Sequence, residues 1–239
     1  MVTEDGPLAR LLLVEDEPGL VANYTLAFER AGLAVRAERT VAGALAAVDE
    51  AVPDVAVVDV GLGRDPDAGF ELCRELRARF PRLPILFLTA REDELDVISG
   101  LRLGADDYLG KGVSLAQLVA RVQTLLRRVE ALTRPAPEPD ARAVGALAYD
   151  VERLEASWRG EPVALTVTEF RLVACLAERP GQVRSRGQLM AAADLVLDDR
   201  TITAHVKRIR RKFEAIDPGF SALATVYGLG YRWIARDAP

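Results

Sequence analysis

Five residues in the first half of this 239-residue chain have types and positions suited to one chemistry. Glu15 and Asp16 follow the apolar run Leu11–Val14, Asp59 follows Val55–Val58, Thr89 follows Ile85–Leu88, and Lys111 lies just past Tyr108–Leu109. If those runs are strands of one sheet, three carboxylates meet at one edge, where they repel unless a cation sits among them. An all-oxygen, carboxylate-rich donor set suits Mg²⁺, which keeps waters and accepts phosphate oxygens. A hydroxyl and an ammonium on the same edge can hold the other oxygens of a phosphoryl group. Asp59 is then the nucleophile that becomes an aspartyl phosphate. Taken singly, each of these residues reads equally well as a solvated loop residue. Five of them on four strand ends speak against that.

The elements that must position them alternate. Helical patterns span Pro18–Ala31, Thr40–Ala51, Phe70–Phe80, Glu92–Leu103 and Ser114–Leu132, with a weak strand run at Leu33–Val35. Pro18 suits a first helical turn, and Gly32 and Gly104 suit the position after a helix end. Strand runs that are apolar throughout and separated by helices indicate a parallel sheet covered on both faces. Such sheets bind ligands beyond the C-terminal ends of their strands.

Leu-Leu-Val-Glu15-Asp16-Glu17, Val-Val-Asp59, Leu-Thr89-Ala90-Arg91 and Gly104-Ala-Asp-Asp-Tyr108-Leu-Gly-Lys111 resemble the receiver domain of bacterial two-component response regulators, over about residues 8–132. The resemblance implies a flavodoxin-like, five-stranded parallel sheet of order 2-1-3-4-5. It implies phosphorylation of Asp59 by a sensor histidine kinase, with Thr89 and Lys111 assisting. It implies Mg²⁺ held by Glu15, Asp16, Asp59 and the carbonyl of Gly61, and Thr89 and Tyr108 as a switch pair. It further implies a homodimer on phosphorylation, through an apolar patch at Ile98 and Leu101 and an Asp107–Arg121 charge pair between protomers. Three features depart from the family pattern. The segment from Asp59 to Gly69 is about two residues longer and has Gly63 where proline is expected. The usual Lys-Pro-Phe is Lys111-Gly112-Val113. The acidic pair is Glu-Asp. A non-proline cis bond costs about 2.5–4 kcal/mol, so a trans Lys111–Gly112 bond is expected, with glycine's wider φ range aiming the lysine.

Charge divides the chain. Residues 1–133 hold 15 Lys+Arg against 22 Asp+Glu, and residues 134–239 hold 16 against 14. The stretch Arg134-Pro-Ala-Pro-Glu-Pro-Asp-Ala cannot continue a helix and favours an extended spacer. The expected division is therefore 1–133, a spacer at 134–141, and a second domain at 142–239. Half the residues are apolar and 28% are charged, an ordinary globular composition. No apolar run approaches a membrane span and no signal sequence is evident, so no membrane partner is expected. Cys73 and Cys175 are far apart and outside any CxxC, which excludes a disulfide framework and fits the cytoplasm.

In the second half, Ala146–Tyr149, Leu154–Trp158 and Val163–Leu165 read as short strands. Thr166-Val-Thr-Glu169 and Ser185-Arg-Gly-Gln188 read as helix-opening capping boxes. A third helix, about Arg200–Ile216 with Asp199 as its cap, repeats Ile202, Val206, Ile209 and Phe213 along one buried stripe. The opposite face would carry Arg200, Ala204, Lys207, Arg208 and Arg211, a basic surface able to enter a DNA major groove. A solvated cationic helix is the plainer alternative. Residues 144–236 are similar to the winged-helix effector domain of OmpR/PhoB-type regulators, an α+β winged helix-turn-helix, on Leu-Thr-Val-Thr-Glu-Phe, Asp-Asp-Arg-Thr-Ile-Thr-Ala-His-Val and the wing Val226-Tyr-Gly-Leu-Gly-Tyr231-Arg-Trp233. That similarity implies double-stranded DNA as partner. Arg208 and Lys207 are expected in the groove, Arg200 and Arg210 nearer phosphates, and Thr201, Thr203, Thr225 and Tyr227 alongside. His205, the only histidine, is read as a phosphate contact or as packing. Between Leu189 and Arg200 the chain is about three residues shorter than the family and lacks its Trp-Gly, which bears on any contact with RNA polymerase.

The expectation is a phosphorylation-controlled transcription regulator, not an enzyme. The alternatives are a phosphate-independent DNA-binding protein and an aspartyl-phosphate phosphohydrolase. The complete acidic, hydroxyl and lysine set opposes the first. Gly61, where such hydrolases carry a second acid, opposes the second.

Overall fold

The computed structural model describes residues 8–90, 104–133, 141–193 and 199–235, and the chain divides into two compact units, residues 1–129 and 130–239. In the first unit the strands are β1 (Arg10–Val14), β2 (Ala34–Glu38), β3 (Val55–Val58), β4 (Ile85–Thr89) and β5 (Asp107–Gly110). All pair in parallel, in the order β2-β1-β3-β4-β5 expected from the resemblance. The described helices are α1 (Pro18–Arg30), α2 (Val41–Glu50), α3 (Ala68–Arg79) and α4 (Leu115–Thr133). The predicted helix at 92–103 lies outside the described residues.

Local chemistry explains these elements. Pro18 occupies the first turn of α1, where its missing N–H costs nothing. Thr40 caps α2 by accepting the Gly43 N–H, so it precedes the helix and does not belong to it. Gly32 follows the end of α1 with positive φ, as a helix-ending glycine does; Gly104 also has positive φ, but the helix it is expected to end lies outside the described residues. Residues of β1, β3 and β4 are buried nearly throughout, as sheets covered on both faces demand. Register then positions the chemistry: Val14 pairs with Val58, and Val58 with Phe87. Glu15 and Asp59, one residue further on, therefore emerge side by side.

The second unit opens on an antiparallel meander of β6 (Ala141–Val144), β7 (Leu147–Asp150), β8 (Glu155–Trp158) and β9 (Glu161–Pro162). Helices α5 (Val167–Ala177), α6 (Arg186–Ala192) and α7 (Asp199–Glu214) follow, and then the hairpin β10 (Leu223–Val226) and β11 (Gly230–Trp233). Two sequence readings are corrected here. Leu154 has left-handed φ and belongs to the turn before β8. Val163–Leu165 is no strand; Val163 and Leu165 are buried as a core-filling connection into α5. The capping boxes of α5 and α6 form as read. Ile202, Val206, Ile209 and Phe213 of α7 are all buried. Phe213 stacks on Phe220 at 4.6 Å, and both lie against Trp158 and Trp233. Among the described residues no helix is long and apolar enough to cross a membrane.

Candidate functional site

At the C-terminal edge of the first sheet, carboxylate oxygens of Glu15, Asp16 and Asp59 lie within 4.8 Å of one another. Glu15 and Asp59 are buried and Asp16 is half-buried. Lys111 reaches in from the end of β5, with Nζ 2.7 Å from Glu15 Oε2 and 2.8 Å from Asp59 Oδ2. Its backbone N–H donates to the Thr89 carbonyl at 2.8 Å, which fixes the lysine against β4. The Lys111–Gly112 bond is trans, but Gly112 does not adopt positive φ. The strand end, and not an unusual glycine backbone, aims the ammonium. Three carboxylates against one ammonium leave an excess of negative charge, and the all-oxygen donor set fits a hard divalent cation.

Electrostatics follow from burial. Burial raises the Glu15 pKa above the usual carboxylate value, against the opposing hydrogen bonds from Lys111 and the Glu17 N–H. For Lys111, burial works to lower the pKa, yet its bonds to Asp59 and Glu15 prevail and leave it raised. The ammonium is thus firmly charged beside Asp59. Burial also raises the Tyr24 hydroxyl above its ordinary value.

Thr89 is buried at the end of β4. Tyr108 is buried in β5, edge-on to Phe87 at 6.0 Å. Gly61 stands two residues past Asp59 and is half-buried. Reading of the sequence missed three supports. A Cβ at Gly69 would meet the Asp59 carbonyl oxygen at 2.0 Å, so only glycine lets α3 start so close to Asp59. Arg39 donates from Nε and Nη2 to the Asp16 carbonyl at 3.0 and 2.8 Å. The Gly63 N–H donates to Asp16 Oδ2 at 3.0 Å. Nothing in local sequence points to the last two, because they join residues 23 and 47 positions apart.

For the expected dimer surface, Ile98 and Leu101 lie outside the described residues. Asp107 and Arg121 pair with each other inside one protomer, at 3.4 Å and both buried, where a pair between protomers was expected. Proximity explains the difference: Asp107 opens β5 and Arg121 lies on α4, whose buried face also carries Leu118, Val122 and Leu125.

In the second unit the expected DNA-facing set separates. Thr203, Lys207, Arg211, Thr225 and Tyr227 are exposed, Tyr227 to 93%. Arg200 and Thr201 fall in the first turn of α7, their side chains outside the described residues. Ala204 and Arg208 are buried, contrary to the helical-wheel reading, and His205 is buried, as the packing alternative for it has it. Glu169, fully buried in the first turn of α5, is the cause. Arg208 Nε lies 2.7 Å from its Oε1, and Lys212 Nζ 2.6 Å from its Oε2. Arg208 Nη2 also lies 2.9 Å from His205 Nδ1. A buried carboxylate must be paired, and this one draws a second stripe of α7 inward. Burial alone would raise the Glu169 pKa, but Arg208 and Lys212 outweigh it and hold the group at about 2. Arg210 is turned toward the hairpin, donating to the Leu223 carbonyl and to Thr225 Oγ1.

Comparison with known proteins agrees with this division of labour. Residues 11–123 match the response regulator receiver domain, and residues 160–233 the C-terminal domain of transcriptional regulatory proteins. The chain is 42% identical to the transcriptional regulatory protein CreB of Escherichia coli, over 92% of this chain and 95% of that protein. It is 36% identical to the sensory transduction protein RegX3 of Mycolicibacterium smegmatis, over 94% and 99% respectively. A solved structure of a RitR mutant is alike in fold, with TM-score 0.74 and 23% identity, over 96% of this chain and all of that one. The paired carboxylates and lysine of the first unit, the helix-and-hairpin second unit and these relatives place the chain in the OmpR/PhoB-type response regulators, the transcription regulators of two-component systems.

Proposed function

We propose that Asp59 is the phosphoacceptor and that its phosphorylation by a partner histidine kinase governs DNA binding. The observation that carries this reading is Lys111 Nζ, held between Glu15 and Asp59 within the three-carboxylate cluster. An Asp59 carboxylate oxygen attacks phosphorus, the bond from phosphorus to the kinase imidazole breaks, and the imidazole nitrogen leaves with the electron pair. Glu15, Asp16, Asp59 and the Gly61 carbonyl would hold Mg²⁺, which when bound would neutralise charge at the phosphoryl oxygens. Lys111 exchanges part of its pairing for a phosphoryl oxygen, and the Thr89 hydroxyl takes another. Thr89 at the end of β4 and Tyr108 in the adjoining β5, both buried, carry the change away from the site.

Dimerisation of the phosphorylated receiver then brings two effector units onto one DNA. Residues 1–133 and 142–239 act as separate functional domains across the proline-rich spacer 134–141. In the effector, Thr203, Lys207 and Arg211 face the major groove, with Arg200 and Thr201 at the leading end of α7. Thr225 and Tyr227 bring the hairpin to the backbone. Arg208, His205, Ala204 and Arg210 serve as support for that surface and not as contacts. The protein works in the cytoplasm.

The test is phosphorylation by acetyl phosphate with Mg²⁺, followed by intact-mass measurement. Wild type should gain one phosphoryl group, labile to hydroxylamine, and none without Mg²⁺. Asp59→Asn should gain none, and Lys111→Ala should be slowed on the order of 10²-fold, the loss typical of removing one charged stabilising group. Stoichiometric modification of Asp59→Asn would overturn the assignment.

A further inference from the structure

The segment following Asp59 is the part of the receiver that departs furthest from the family pattern, and it is built as a small hairpin. Leu62 and Asp65 exchange backbone hydrogen bonds at 3.1 and 3.3 Å, enclosing Gly63 and Arg64 as a two-residue turn. Gly63 has φ +66 and no non-glycine residue of the segment has positive φ. A glycine at the first central position is what a type II′ turn requires. The base is anchored: Leu62 is buried, and the Asp67 N–H donates to Asp65 Oδ1 at 2.9 Å. The tip leans across the sheet edge, where the Gly63 N–H reaches Asp16 Oδ2. Arg39 holds the carbonyl of the same residue from the other side. Asp16 is the least buried of the three carboxylates, so without these contacts it would be the freest to turn away.

We infer that the Leu62–Asp65 hairpin is a positioning arm for the cation site: the Gly63 amide occupies one oxygen of Asp16 and leaves the other to face Glu15 and Asp59. The inference rests on the cation-site reading above. A group that orients a metal ligand usually contributes 10–100-fold in metal affinity. The opposite possibility is competition, in which the amide must release Asp16 before a cation can enter. The two differ in sign.

Two measurements on the full chain decide. In the first, Mg²⁺ is titrated calorimetrically into wild type, Gly63→Val and Gly63→Asn. Valine resists positive φ more strongly than asparagine, so Gly63→Val should bind on the order of tenfold more weakly than wild type, with Gly63→Asn between the two. In an Asp16→Ala background, Gly63→Val should have no further effect. The second needs no variant: hydrogen exchange of the Gly63 amide in wild type should slow when Mg²⁺ is added. Faster exchange with Mg²⁺, or a Gly63→Val variant of unchanged circular dichroism that binds as well as wild type or better, would overturn the inference. A wild type with no Mg²⁺ isotherm at all would sink the cation-site reading itself, and this inference with it.

Discussion

Two clusters of the same ingredients sit in the two units. At the first sheet's edge Glu15, Asp16 and Asp59 share one Lys111; between α5 and α7 a single Glu169 is shared by Arg208 and Lys212. Both are built from residues far apart in sequence, and both have ionic distances below 3 Å. Their charge balance differs. The first has more carboxylates than cations, so its groups compete for one ammonium and burial raises the Glu15 pKa. The second has more cations than carboxylates, so its acid is held at about 2. Surplus negative charge leaves a place for an incoming cation and phosphoryl group. An acid saturated by two cations has nothing left to bind and serves to lock helices together.

The largest effect that would break this comparison is on stability. Removing one partner of a buried ion pair typically costs about 3–5 kcal/mol, because the other charges stay buried without it. Glu169→Ala should therefore destabilise the second unit by that order, while Glu15→Gln should leave the first unit unchanged or more stable, since it relieves carboxylate repulsion. The only two tryptophans of the chain, Trp158 and Trp233, lie in the second core, so tryptophan fluorescence in urea follows that unit alone. Acid gives the same answer. The folded pKa of Glu169 is about 2 against an ordinary 4.5, so its contribution is complete above pH about 4.5 and lost as pH falls through about 2. The shift corresponds to on the order of 3 kcal/mol. Glu169→Gln should flatten the stability curve across that window. An unchanged curve would show that Glu169 is not the clamp.

A smaller effect sharpens the division within α7. Lys207→Ala should leave fluorescence-detected stability within about 0.5 kcal/mol, weaken DNA binding and reduce the salt slope by about 1 if the lysine meets a phosphate. Arg208→Ala should lose stability first. If Arg208→Ala instead kept full stability and lost sequence preference, the buried arginine would be a reader of bases after all. Tyr227, exposed at the hairpin tip where the family often has arginine, should contribute little to the salt slope.

What could be read from sequence follows the range of the forces involved. The five site residues at strand ends and both capping boxes were legible, because each rests on an apolar run or a spacing of three to four residues; the sheet order came only with the family resemblance. The apolar stripe of α7 was legible for the same reason. The second stripe was not: helical periodicity places Arg208 opposite Ile202 and Phe213, and only Glu169, 39 positions earlier, turns it inward. The contacts of Arg39 and Gly63 with Asp16 escaped notice in the same way, since each is made through the fold. The Asp107–Arg121 pair was recognised as a pair, but sequence does not say whether its members meet within one protomer or across two. Leu154 reads as the start of a strand-like run; leucine rarely adopts φ near +47, so nothing local announces the turn into β8 that imposes it.

The central claim is that the surplus of charge in the first unit controls the second. Its most direct test is the DNA affinity of the full chain by fluorescence anisotropy, at one fixed salt concentration, with and without beryllofluoride and Mg²⁺. The probe is a promoter fragment selected by the protein itself from a random pool. Wild type should bind at least several-fold more tightly when beryllofluoride and Mg²⁺ are both present, and Asp59→Asn should not respond. Equal affinity of wild type under all conditions, or an equal gain in Asp59→Asn, would contradict the account.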